Sequence, residues 1–163
     1  MRTQKESSRT LDRLDRHILQ LLQIDGRMSM KDLSERVGLS ITPCIERVKR
    51  MERDGVITGY HARINASAVG VKLLVFVEIT LQQKSARTFE QFRSEVLRIP
   101  EVMECHLVSG DFDYLVKARI HDMDEYRKLL GDILLQLPGA TQSKSYFVME
   151  EIKETLSVPI SVR

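Results

Sequence analysis

The sequence predicts an α+β protein of two domains, and three observations carry that prediction. Up to Ile64, apolar side chains recur at three- and four-residue spacing between glycine breaks, the pattern of short amphipathic helices. From Lys72 onward, β-branched and aromatic runs alternate with helical patterns in the order strand, helix, strand, strand, helix, strand. Between them lies Asn65-Ala66-Ser67-Ala68-Val69-Gly70, small and polar, with the composition of a connection. The expected organisation is a flexible basic arm at 1–9, a helical domain with a short β-extension at 10–64, a linker at 65–71 and a sheet domain at 72–163.

The arm is polar, with Arg2, Lys5 and Arg9 free to meet an anionic surface. A first helix follows, starting near Thr10 or Asp12 with a stripe of Leu11, Leu14, Ile18, Leu21 and Leu22, and ending near Asp25-Gly26-Arg27. Ser29 and Asp32 have the spacing of an N-terminal capping box, with Asp in place of Glu. They open a second helix of about two turns, whose inner face is Met30, Leu33 and Val37. Gly38 supplies a left-handed cap at no steric cost. Ser40 is placed to cap the third helix, and Pro43 falls in its first turn, where a missing N–H is harmless.

On that third helix, Ile41, Cys44, Ile45, Val48, Met51 and Glu52 share a largely apolar side. Pro43, Glu46, Arg47, Arg50 and Arg53 project from the other, with Thr42 and Lys49 on the flanks. Two helices around a glycine turn, the second with a basic outer face, read as a helix-turn-helix with its recognition helix. After Asp54-Gly55, residues Val56 to Ile64 read as two short strands turning at Thr58-Gly59, a small wing.

In the second domain, Lys72–Leu81 reads as a buried strand, Phe89, Phe92, Val96 and Ile99 as a helix ending at Pro100, and Val102–Val108 as a strand. Gly110-Asp111-Phe112-Asp113 is a turn and Tyr114–Ile120 a third strand. A helix using Met123, Tyr126, Leu129, Leu130, Ile133, Leu134 and Leu137 breaks at Pro138-Gly139, and Ala140–Ile152 supplies the last strand. The order βαββαβ is the ferredoxin-like pattern, an antiparallel four-stranded sheet with both helices on one face. Leu74, Phe76, Phe112 and Phe147 are too apolar as a set to leave the other face bare, so self-association is expected.

Charge follows the same division. Residues 1–64 carry 13 lysines and arginines against 9 aspartates and glutamates, and the remainder carries 12 against 14, within a net charge of +2. The positive potential thus lies on the helical half, as a phosphate-binding module requires. No apolar run approaches the ~20 residues of a membrane span, and Met1–Thr10 has no apolar signal core, so a cytoplasmic protein without a membrane partner is expected. Cys44 and Cys105 fall in different domains, which favours free thiols. Cys105-His106 beside Asp111 and Asp113 lacks a second Cys/His pair at ligand spacing, so no metal is expected. There is no glycine-rich phosphate loop and no supported nucleophile arrangement, so no catalytic residue is assigned and no enzyme expected.

The stretches LSITPCIERVKRMERDGVITGY, ECHLVSGDFDYLVKARI and SYFVMEEIK closely resemble the leucine-responsive (Lrp/AsnC) family of transcription regulators, nearest its leucine-responsive branch. The likeness runs from about Leu11 onward in the same domain order, with Ile41 where many relatives have proline. The resemblance implies a homodimer formed through the C-terminal sheets and assembled into octamers or larger species on double-stranded DNA, hence association with the nucleoid. It also implies a small amino-acid effector, such as leucine, in clefts between dimers, and no cofactor.

The expected DNA-binding residues are Ser40, Thr42, Pro43, Glu46, Arg47 and Arg50. Arginine offers a fork to guanine edges or phosphate, and Ser40 and Thr42 sit where helix N–H groups also point. For the effector, Gly110, Asp111 and Asp113 offer carboxylates to an ammonium group and backbone N–H groups to a carboxylate. By resemblance, Leu107, Met123, Tyr146, Phe147 and Val148 join them. The reading that follows is a sequence-specific regulator whose assembly and DNA affinity respond to an amino acid. The alternative is an architectural DNA-bending protein that needs no effector.

Overall fold

The computed structural model describes residues 10–136 and 139–161. The arm at 1–9, together with Leu137 and Pro138, lies outside the described residues, as do the side chains of Ile133 and Leu134. The chain divides into two compact units, a head of residues up to Arg63 together with Glu154 onward, and a sheet unit from Ile64 to Lys153.

Three helices build the head: α1 (Arg13–Ile24), α2 (Met30–Val37) and α3 (Ile41–Arg53). Asp12 caps α1 by accepting the Asp15 N–H at 2.8 Å, and the Asp15 carboxylate accepts the Asp12 N–H at 3.2 Å, a reciprocal box of two acids. Ser29 caps α2 through the Asp32 N–H, and Gly38 ends it at φ +73°, as the spacing predicts. Ser40 stands at the N-cap of α3, but its hydroxyl makes no capping hydrogen bond. The core of the head is Ile18, Leu19, Leu22, Leu33, Val37, Cys44, Val48 and Met51, the apolar stripes of the three helices turned toward one another.

Among the described residues the head contains no strand, so the expected wing strands at 56–64 are corrected. The cause is where the backbone donors go: the Val56 and Ile57 N–H groups both return to the Met51 carbonyl, at 2.8 and 3.1 Å, and close the end of α3. The segment then runs on in irregular backbone, with the Tyr60 hydroxyl donating to Glu52 at 3.0 Å.

The linker winds into a short 3-10 turn, Ala66–Val69, capped by the Asn65 side chain, which accepts the Ser67 and Ala68 N–H groups. The sheet unit follows as β1 (Leu73–Leu81), α4 (Ala86–Val96), β2 (Val102–Leu107), β3 (Tyr114–Ile120), α5 (Met123–Gln136) and β4 (Ala140–Phe147). The strand order is β2-β3-β1-β4, all antiparallel, the arrangement that the βαββαβ pattern predicts. Alternation sorts the two faces. Val75, Val77, Ile79 and Leu81 of β1 join Val116, Ala118 and Ile120 of β3, Phe92 and Val96 of α4, and Leu129 of α5 in the core. The Tyr114 ring stacks on Phe92 at 3.9 Å between centroids.

The opposite face carries Leu74, Phe76, Glu78 and Thr80 of β1 in register with Tyr146, Lys144 and Gln142 of β4 and with Arg119, Lys117 and Leu115 of β3. It is more polar than expected. Phe147 pairs with Val75 and so sits on the core side, its ring 4.8 Å from Tyr126, and Phe112 lies in the β2–β3 loop. The last strand also ends earlier than the expected Ile152, at Phe147. Beyond it, residues from Glu154 onward group with the head, where a single C-terminal domain from 72 to 163 was expected.

That returning segment is held on α1. Gln20 donates to the Ile160 carbonyl at 2.8 Å, Arg16 donates to the Ser161 carbonyl at 3.0 Å, and the Ile160 side chain packs on the helical core. Where the chain leaves and re-enters the head, Arg63 donates to the Glu154 carbonyl at 3.2 Å and faces its carboxylate at 3.7 Å.

Candidate functional site

The N-terminal half of α3 is presented as a helix-turn-helix requires: Gly38 stops α2 sharply, and Ser40, Ile41, Thr42, Pro43 and Glu46 are all exposed. The uncapped Ser40 hydroxyl leaves a donor at a helix N-terminus, where the first N–H groups and the helix dipole favour an anion. Thr42, Glu46, Lys49 and Arg53 follow at four-, three- and four-residue spacing, one exposed strip along the helix.

Arg47 and Arg50 are placed differently from the outward projection expected of them. Their guanidinium groups turn toward the start of α1. Arg47 Nη1 donates to Asp12 at 2.6 Å and to Asp15 at 2.8 Å, and Arg50 Nη2 donates to the other Asp15 oxygen at 2.6 Å. Asp15 is buried, with 3% of its side chain exposed, whereas the two arginines retain 24% and 28%. A buried carboxylate with two guanidinium partners is a low-dielectric ion cluster, which is why it draws both arginines in. The backbone N–H of Asp15 and the Arg47 guanidinium together hold the Asp12 carboxyl below its ordinary range, and the two acids hold Arg47 above its own. The Asp12-Asp15 spacing at a helix start was the signal available in sequence, but it marks the cap and not the pairing across to α3.

In the sheet unit, the effector residues fall into two groups at different corners. Leu107, Gly110, Asp111 and Asp113 surround the β2–β3 turn, where Leu107 pairs with Tyr114. Tyr146, Phe147 and Val148 lie at the far end of β4, level with Phe76, Val75 and Leu74, and Met123 opens α5 beyond Ile120 at that same end. Strands β2 and β4 are opposite edges, so three strand spacings, about 14 Å at ~4.8 Å each, part them across the sheet. Within one chain the two groups do not form a single site.

The two carboxylates of the turn also differ. Asp113 is buried: it accepts the Leu81 N–H at 2.9 Å and meets Lys84 Nζ at 2.8 Å. Burial pushes its carboxyl up, but Lys84 and the Leu81 amide outweigh burial and leave it below the usual value. It ties the turn to the end of β1. Asp111 and Gly110 are exposed, and Gly110 has φ +141°, a conformation open to glycine. Leu107, Met123, Tyr146 and Phe147 are exposed to 60, 45, 41 and 37%, unusual for apolar side chains.

Cys105 and His106 lie apart from any ligand set. His106 Nε2 is 3.3 Å from Glu104, and among the described residues no group of three His, Cys, Asp or Glu could hold a metal ion. No helix among them is long and apolar enough to cross a membrane.

Comparison with known proteins accords with this layout. A winged helix-turn-helix DNA-binding model matches residues 11–58, and an Lrp/AsnC ligand binding domain model matches residues 74–158. The leucine-responsive regulatory protein of Klebsiella pneumoniae is 54% identical over 161 residues, covering 99% of this chain and 98% of its own. That of Escherichia coli is 53% identical over the same length, with the same coverage. A Neisseria meningitidis transcriptional regulator in complex with L-Met superposes with TM-score 0.85 at 38% identity, over 92% of this chain and 97% of its own. A feast or famine regulatory protein of Mycobacterium tuberculosis complexed with L-methionine does so with TM-score 0.83 at 30% identity, over 91% and 99%. The helix pair with its presented third helix, the βαββαβ unit and these full-length likenesses agree: the chain is a member of the Lrp/AsnC family of transcription regulators, a DNA-binding protein and not an enzyme.

Proposed function

We propose that the chain is a cytoplasmic, sequence-specific regulator whose assembly and DNA affinity respond to an apolar amino acid of leucine or methionine size. The observation that carries this reading is the exposed N-terminal half of α3 behind its glycine turn, joined in one chain to a family ligand-binding domain. Ser40, Thr42, Pro43 and Glu46 meet the duplex, the first two as phosphate donors and Glu46 as an acceptor for a cytosine amino group.

The effector site is shared between copies. Its two groups of residues lie at different corners of one sheet, so a second copy must bring a β2–β3 turn to a neighbour's β4 end. Leu107, Met123 and Val148 supply the apolar lining, Phe147 and Tyr146 close it, and Asp111 faces the ammonium group. Gly110 opens the backbone, and Asp113 holds the turn in place. Homodimers through the open sheet face, built into octamers or larger rings on the nucleoid, provide those junctions. An effector that favours one arrangement then changes how many heads engage DNA together.

A thermal-shift screen of all twenty amino acids, with light scattering on each hit, tests the reading. Stabilisation by leucine or methionine together with a change of mass is the expected result, because a ligand bound to the native state raises its melting temperature. No hit from any amino acid would leave the architectural, effector-independent function in its place.

A further inference from the structure

Arg47 and Arg50 stand on the α1-facing flank of the helix proposed to read DNA, yet the structure spends their charge elsewhere. Arg47 is held by Asp12 and Asp15, and Arg50 by the second oxygen of Asp15. Asp15 is itself fixed by its place in the first turn of α1, where it accepts the Asp12 N–H and faces the positive end of the helix dipole. A carboxylate buried to this degree cannot lose both partners without leaving an unpaired charge in the interior, so the cluster resists release.

We propose that Asp15 is a specificity-determining positioning residue: it holds Arg47 and Arg50 off the duplex and so leaves DNA contact to the exposed side chains of Ser40, Thr42, Pro43, Glu46 and Lys49. The inference rests on the reading of α3 as the DNA-contacting helix. Arginine–phosphate contact is sequence-independent, and each phosphate neutralised strengthens binding to every duplex alike. Glu46 works in the opposite sense, since a carboxylate repels phosphate and is accepted only where a base donor compensates it. Two arginines swinging free beside Glu46 would fill the groove with non-selective attraction. Asp15 never touches DNA; it acts through the two side chains it restrains.

The experiment compares salt dependence of binding for two probes, a duplex selected from a random pool by the wild-type protein and a mixed-sequence duplex. Asp15→Asn keeps the shape and the acceptor for the Asp12 N–H but removes the charge. For this variant the log–log salt slope on the mixed duplex should steepen by about one for each arginine released. The preference for the selected duplex should fall about tenfold or more. In the triple variant D15N/R47Q/R50Q the slope should return to the wild-type value. A merely architectural Asp15 would weaken both probes in parallel at unchanged slope, and that result overturns the proposal. Should D15N fail to fold, the triple variant, which removes Asp15 and both guanidinium charges and leaves the half-exposed Asp12 carboxylate as the cap of α1, decides by itself. A wild-type slope supports the proposal, and a slope shallower by about two shows that both arginines contact phosphate in the native complex and overturns it. Wild-type protein that does not discriminate between the duplexes removes the reading of α3 as well, whereas discrimination with an unchanged D15N slope removes the inference alone.

Discussion

Gln23 and Val158 are bonded twice. The Gln23 carboxamide donates to the Val158 carbonyl at 3.2 Å, and its oxygen accepts the Val158 N–H at 2.7 Å, so one side chain of α1 pairs with the returning backbone as a neighbouring strand would. Both bonds are exposed, which puts their joint contribution near 1 kcal/mol. Gln23→Ala should lower the stability of the head by about that amount in chemical denaturation. Gln23→Glu, which keeps the acceptor and loses the donor, should fall between wild type and alanine.

Phe92 is fully buried and stacked on Tyr114, at the centre of the sheet unit's core. Its truncation to alanine should cost about 3–5 kcal/mol, the range for large aromatic side chains in close-packed interiors. Because the chain forms two compact units, calorimetry should show the sheet transition moving down while the helical one stays in place.

Asp113 links protonation to stability. Its folded carboxyl lies below the ordinary value of 3.8, so the charged form stabilises the native state at neutral pH. That contribution is fully present above 3.8 and is lost as pH falls through the lower folded value. Asp113→Ala should destabilise by about 1–3 kcal/mol at pH 7, because the Leu81 amide loses its acceptor, and should flatten the acid limb of the stability curve. Asp113→Asn, still able to accept that N–H, should be milder. Asp111→Asn should leave stability unchanged and weaken only the response to amino acids.

Both thiols should resist alkylation while the protein is folded. Burial raises Cys44, and it raises Cys105 to about 11, so neither supplies appreciable thiolate near neutral pH. A thiol-reactive chromophore should report two groups only after denaturant is added; a fast native reaction at Cys105 would contradict this.

Much of the fold was legible because it depends on local chemistry. Ser29, Gly38 and the apolar spacing of Leu33, Val48 and Met51 act within a turn or two of chain, and the alternation of Val75, Val77 and Ile79 sorts the faces of β1 by itself. What sequence did not disclose depends on partners far along the chain. The direction of Arg47 is set by Asp12 and Asp15, more than thirty residues away, and a helical wheel drawn for α3 alone places that side chain in solvent. The Val56–Ile64 segment has the composition of strands, but its first two donors are taken by Met51 before any ladder can begin. The corners of the sheet that hold Leu107 and Tyr146 could be assigned only once strand order was known.

The returning segment has a consequence for biosynthesis. Gln20 waits for Ile160, a partner made 140 residues later, so the three helices leave the ribosome well before the residue that covers their edge exists. Until then the nascent head lacks its Ile160 contact, and this last layer arrives only after the whole sheet has been synthesised. The part of the molecule that emerges first is the part completed last.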